Sequence, residues 1–195
     1  MNLARYFSGT IKALGSSKTW SDDFDLTRAG LQQSFLALLL SLPFYFVCAA
    51  AVVKFRNEVL ANSPDYDGAP DAYLPIGGFV LLLLLYALMF PLCVYIFTLV
   101  FDRQDRFRPW VIVRHWAFFF VALAAAILMG LSLLGVLPFQ MALLPVFILY
   151  LGTLAIDIRL AQKIGGFEWG AAILAGCLIT AMGLMMILIG MTQYI

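Results

Sequence analysis

The sequence predicts an all-α protein: a polytopic integral membrane bundle of five transmembrane helices, N-terminus cytoplasmic and C-terminus outside. Three observations predict it. Of 195 residues, 64% are hydrophobic and only 12% charged, with a mean hydropathy of +0.97; soluble chains carry roughly a quarter charged residues. The apolar residues come in uninterrupted runs of the ~20 residues a bilayer requires, where soluble helices keep a polar face. The positive charges then fall almost entirely into alternate connections.

In chain order, residues 1–30 form the most polar long segment and are expected to be a cytoplasmic amphipathic unit, with 31–195 the transmembrane domain. Leu3, Phe7, Ile11 and Leu14 recur at helical steps with Tyr6 beside them, while Arg5, Ser8 and Lys12 take other faces. Such a helix suits the headgroup layer, with Trp20 as an aromatic anchor; a tail packed on its own protein is the alternative. Gly15-Ser16-Ser17 ends it, and Ser21-Asp22-Asp23 reads as the cap and acidic first turn of the next helix. The first long apolar run starts only at Phe35, behind acidic residues, so a secretory signal is not expected. The spans are then 31–53, 76–100, 110–135, 139–156 and 169–191. Asn62 to Asp71 makes an acidic, turn-rich loop, Val136-Leu137-Pro138 an uncharged turn, and Asp157 to Gly166 a polar connection.

Orientation follows from the positive side chains, which cytoplasmic segments retain. Arg5, Lys12, Lys18, Arg28, Arg103, Arg106, Arg108, Arg114, Arg159 and Lys163 fall on one side, and only Lys54 and Arg56 on the other. The densest group lies in Phe101–Trp116, a polar hinge between the second and third spans, which also holds His115, the single histidine. A net charge of +1 gives no reason to expect nucleic acid as a partner.

Ionisable groups inside a bilayer mark proton or ion paths. The five cores read as free of them: Arg114 and His115 stand at the mouth of the third span and Asp157 and Arg159 at the end of the fourth, where arginines snorkel to the interface. That reading disfavours a proton-coupled transporter or an ion pump acting alone. No Ser/His, Asp/Asp or HExxH arrangement indicates a hydrolase, and the chain is expected not to be an enzyme and to need no cofactor. His115 between Trp110 and Trp116 reads as an interfacial anchor rather than a titrating switch, and one histidine does not make a metal site. Cys48, Cys93 and Cys177 lie in apolar runs and read as small hydrophobes. Pro43, Pro91 and Pro145 interrupt three spans, as packing kinks or as broken helices of a transport path.

Two features are left as candidate contacts. The hinge residues Arg103, Arg106, Arg108, Arg114 and His115 suit anionic headgroups, at about 1 kcal/mol per basic residue, or a cytoplasmic protein, or serve only to set topology. In the last span Ala172, Gly176, Thr180 and Gly183 form a small-residue stripe suited to close helix packing, either within the bundle or against a partner.

The hinge with its flanks, Leu99-Val100-Phe101 through Phe107-Arg108-Pro109-Trp110-Val111, and the run Ile158-Arg159-Leu160-Ala161-Gln162-Lys163-Ile164-Gly165-Gly166-Phe167-Glu168-Trp169 into the last span, carry a resemblance. Together with the five-helix layout they resemble the Yip-type membrane domain family. The likeness covers most of the chain as topology and these two passages as sequence. It implies a five-helix membrane fold. The short tail matches no GTPase-binding motif of the eukaryotic members, and no functional residue carries over.

The expected function is a non-enzymatic accessory or scaffold protein of the bacterial inner membrane that packs against a membrane protein partner, a homo-oligomer included, or organises membrane lipids. On this reading a bulky residue at Gly176 weakens a complex. The alternative is a transporter or channel-like protein for a neutral or apolar solute, with a water-accessible cavity near Pro43, Pro91 and Pro145.

Overall fold

The computed structural model describes residues 2–63 and 76–194, with side chains as far as Met186. The described residues are helical with short connections. A short helix α1 (Leu3–Leu14) precedes five long ones: α2 (Arg28–Ala61), α3 (Ile76–Val100), α4 (Phe107–Leu133), α5 (Phe139–Lys163) and α6 (Trp169–Tyr194). All five are long and apolar enough to cross a membrane. The chain is an integral membrane protein of five spanning helices, as its apolar runs predict. Most of the acidic loop before α3, Pro64 to Asp71, lies outside the described residues.

α4 is the axis of the bundle. Every residue from Trp110 to Phe119 is buried, because α2, α3, α5 and α1 all pack against this half of the helix. A helix apolar on every side finds its place inside a bundle. The largest buried side chains of the core, Trp110, Trp116, Phe90, Leu160, Ile164 and Ile179, gather around it. α6 lies between α5 and α3.

Several helix ends differ from the sequence reading, and in each case a contact distant in sequence explains the shift. α2 starts at Arg28 and runs past Val53 to Ala61. At 34 residues it measures about 51 Å and outruns the ~30 Å hydrocarbon layer. Lys54, on its protruding end, donates to the carbonyl of Leu133 at 3.0 Å and so caps the C-terminus of α4. α5 continues through Asp157 to Lys163, residues expected in a connection. Arg159 donates to the Leu14 and Gly15 carbonyls, each at 3.1 Å, and Lys163 to Lys12 at 3.0 Å and to Gly15. Those are the orphan carbonyls of the last turn of α1, so both cations work as a remote C-cap. Ser21 does not cap α2. Trp20–Asp23 is a single 3-10 turn, and Phe24 is buried beside Tyr6 of α1. The chain thus runs along α1 before Thr27 caps α2, its hydroxyl accepting from the Gly30 N–H at 3.4 Å. The Thr27 hydroxyl and N–H also hold the exposed Asp25 carboxyl below the usual carboxylate range.

α4 begins at Phe107, not Trp110, with Pro109 in its first turn, where a missing N–H costs nothing. The hinge therefore shortens to Phe101–Arg106. Two helices end in the same motif. After α4, Gly135 (φ +76°) lets Val136 N–H reach Leu131 C=O and Gly135 N–H reach Ser132 C=O, both at 2.9 Å. After α3, the left-handed position is taken by Asp102 (φ 54°), with Arg103 N–H on Thr98 C=O at 2.7 Å. A side chain there costs roughly 1–2 kcal/mol, less for Asp than for bulkier residues. Asp102→Gly should therefore raise the thermal midpoint of the detergent-solubilised protein, and Asp102→Val should lower it. Equal midpoints would mean the turn is not held left-handed.

Candidate functional site

The bundle's polar groups converge at one place. Arg114 of α4 and Asp157 of α5 form a bidentate ion pair, Nε to Oδ1 at 2.6 Å and the second guanidinium nitrogen to Oδ2 at 3.1 Å. The two residues are 4% and 0% exposed. At ~1.5 Å per residue, Arg114 stands about 10 Å inside the start of α4, and Asp157 about 9 Å before the end of α5. This overturns the expectation that the five cores carry no ionisable group. Arg114 does not snorkel, because α3 and α5 shut it off from the interface and Asp157 offers the better partner.

The surroundings complete the pair. The guanidinium carbon lies 3.7 Å from the ring centroids of both Phe90 on α3 and Phe118 on α4, a desolvated cation–π arrangement that holds Arg but not Lys. The Thr180 hydroxyl of α6 donates to Asp157 Oδ2 at 3.4 Å. Tyr86 of α3 neighbours the guanidinium, and Tyr45 of α2 lies within electrostatic reach of both. Tyr150 of α5 donates to the Thr180 carbonyl at 3.3 Å. A Cβ placed on Gly183 would stand 3.9 Å from the hydroxyls of both Tyr86 and Tyr150 and a tight 3.2 Å from the Tyr86 ring edge, so the bare position lets Tyr86 approach α6 closely. Four of the five spanning helices, α3 to α6, contribute a polar side chain to this cluster, with Tyr45 of α2 near it.

The arrangement is closed. A guanidinium held by two carboxylate oxygens and two rings is neither a nucleophile nor a base, and the carboxylate accepts from Arg114 and Thr180 together. Its chemistry is that of a clamp. In a bilayer a broken pair has no water to turn to, so the pair sets the register of α4 against α5 and α6. An open groove of about 780 Å³ does exist, between the protruding end of α2 and Ile76 of α3. None of Arg114, Asp157, Pro43, Pro91 and Pro145 lines it. The three prolines do lie inside α2, α3 and α5.

The hinge set divides. Arg103, Arg106 and Arg108 are exposed, and Arg106 pairs with Asp105 at 2.9 Å. Arg114 and His115 do not belong with them and are withdrawn as headgroup or partner contacts. His115 is 1% exposed, not interfacial. Its Nδ1 is 2.9 Å from the Ser34 hydroxyl, which gives its own proton to Leu31 C=O at 2.7 Å. With that proton so placed Nδ1–H is the donor, and Nε2 has no hydrogen-bond partner among the described residues. Phe35 and Phe90 close over the ring.

The small-residue stripe is consumed inside the bundle. Ala172 is fully buried, a Cβ on Gly176 would stand 2.4 Å from the Ile158 side chain of α5, and one on Gly183 3.2 Å from the Tyr86 ring of α3. Thr180 serves Asp157. These are contacts of the internal kind the sequence allowed. Among the described residues, no three His, Cys, Asp or Glu side chains are grouped as a metal would require. Tyr45, Tyr86, Tyr150 and Asp157 were missed as site residues. Their signal was there: each is a polar residue flanked by apolar ones in or beside a span.

Comparison of the chain with family models, curated proteins and solved structures finds no match. The functional reading therefore stands on this geometry.

Proposed function

We propose that this protein is a non-enzymatic scaffold of the membrane whose working surface is its hinge-side rim, where it gathers anionic lipid headgroups. The observation that carries this reading is the division of its positive charges. Arg114 is locked to Asp157, Arg159 and Lys163 cap α1, and Arg103 and Arg108 are left exposed at the junction of α3 and α4 without an ion-pair partner among the described residues. That junction sits at the membrane surface, where free arginines meet phosphate. Consumption of the small-residue stripe inside the bundle favours lipid over a partner helix as the thing organised.

The excess of positive side chains on this side supports a cytoplasmic rim, and the anionic lipid of a bacterial inner membrane would suit it. The resemblance to the Yip-type family agrees with a non-enzymatic class and adds no residue. The test is native mass spectrometry of the protein from mixed phosphatidylglycerol–phosphatidylcholine nanodiscs. Arg103→Gln and Arg108→Gln should each lower the retained phosphatidylglycerol about fivefold, the equivalent of ~1 kcal/mol per arginine. Retention equal to that of the unaltered protein would overturn the reading.

A second reading, transport coupled to an ion, is favoured by one observation, the intramembrane Arg114–Asp157 pair. It requires the pair to open. Solute-dependent proton uptake into proteoliposomes that Asp157→Asn abolishes would support it over the scaffold.

A further inference from the structure

We propose that α1 is a lipid-embedded anchor whose outer stripe, Leu3, Phe7 and Ile11, inserts among the acyl chains of the hinge-side leaflet. The three residues recur every fourth position and are 41%, 51% and 55% exposed. The opposite side of the helix is already occupied: Gly9, Thr10 and Ala13 are buried, and Tyr6 stacks on Trp116 with ring centroids 4.0 Å apart. A helix docked on a protein in water turns its polar residues outward. This one turns out Leu3, Phe7 and Ile11, and its two cations, exposed Arg5 and half-buried Lys12, are tied to the turn that follows it. Lys12 pairs with Asp23 at 2.8 Å, and Arg5 donates to the Asp22 carbonyl.

The depth of α1 identifies what covers the stripe. The Phe7 ring meets the edge of Phe120 at 5.0 Å. Phe120 belongs to a spanning helix, about 20 Å along α4 from Phe107, with its ring leaning back toward the hinge side. Phe7 therefore lies at a level where α4 is already crossing the acyl layer. The other end of α1 is tied by Arg159 and Lys163 to the last turn of α5, at the rim. The helix thus slants inward along the flank of the bundle, and its stripe continues the apolar belt of the spanning helices. That is the depth and composition of an interfacial helix, here held by its own protein as well as by lipid. The inference rests on the spanning fold and not on the arginine reading.

The test uses the unaltered chain in vesicles of phosphatidylcholine alone, with a diazirine on the lipid acyl chain. Photolysis followed by peptide mass spectrometry should place adducts on Leu3, Phe7 and Ile11, with Gly9, Thr10 and Ala13 unmarked. Adducts on α2 to α6 with none on α1 would overturn the proposal, and so would crosslinks from the stripe to a second copy of the chain or to another protein. Spin labels give a second measurement. Placed through Phe7→Cys and Ile11→Cys, with the three native cysteines replaced by alanine, they should collide with oxygen but lose collisions with a water-soluble nickel chelate. A label placed through Lys18→Cys should meet both reagents. Equal nickel access at Phe7 and Lys18 would sink the proposal. A neutral bilayer gives the arginines no anionic partner, so this outcome is independent of theirs.

Discussion

Asp157→Ala should lower the stability of the bundle by ~3–5 kcal/mol, the usual cost of removing one partner from a buried ion pair. The loss comes less from the pair's own attraction than from what is left behind. Arg114 would remain buried between Phe90 and Phe118, with Tyr86 the polar neighbour left to it among the described residues. No water replaces the carboxylate in that position. Arg114→Ala should cost a similar amount, by stranding Asp157. The double variant Arg114→Met with Asp157→Leu should recover most of the stability, because two apolar side chains of like volume satisfy the same space without charge. Unfolding of purified protein in mixed micelles, followed by circular dichroism against denaturing detergent, reads all three. If Asp157→Ala costs less than about 1 kcal/mol, the pair behaves as a surface bridge and the bundle does not enclose it.

The same pair marks where sequence reasoning stops. Spans are local: the length of an apolar run decides them, and all five were legible. The N-terminal helix was legible as well, since Leu3, Phe7 and Ile11 keep step within one turn after another. Both ends of α3 and the starts of α5 and α6 were legible too, but the ends at Arg28, Ala61, Phe107 and Lys163 were not, because charged residues count as loop signals in a sequence. Asp157, Arg159 and Lys163 look like the end of a helix, yet each has its partner elsewhere: Arg114 lies 43 positions away, and the carbonyls of α1 about 150. Polar residues bounded by apolar ones, such as Asp157 between Ile156 and Ile158, were the available hint that a charge stays inside. Nothing local says which charge answers it. The small-residue stripe was legible as a packing surface, but whether its neighbour belonged to this chain was not, since Ile158 and Tyr86 reach it only through the folded bundle.

Gly176→Leu should prevent the bundle from assembling, and Gly176→Ala should already cost ~1–3 kcal/mol. A Cβ on Gly176 would stand 2.4 Å from Ile158 Cγ1, 2.8 Å from its backbone nitrogen and 3.0 Å from its Cα. A side-chain end can swing away, but two of those three atoms are helix backbone, so α5 itself would have to retreat. Ile158 follows Asp157 directly, so that retreat would also draw the carboxylate away from Arg114 and from Thr180, one turn along α6. The overpacking penalty and the ion-pair penalty are therefore coupled, and the damage at Gly176 should exceed what its volume alone implies. Trimming the neighbour tests the argument. Ile158→Ala with Gly176→Ala should restore part of the stability lost by Gly176→Ala alone, whereas Ile158→Ala by itself should be destabilising. The readout is monomer unfolding in detergent. If Gly176→Ala left unfolding unchanged and instead dissociated a complex with another membrane protein, the stripe would be an outward surface and the packing of α6 on α5 described above would be wrong.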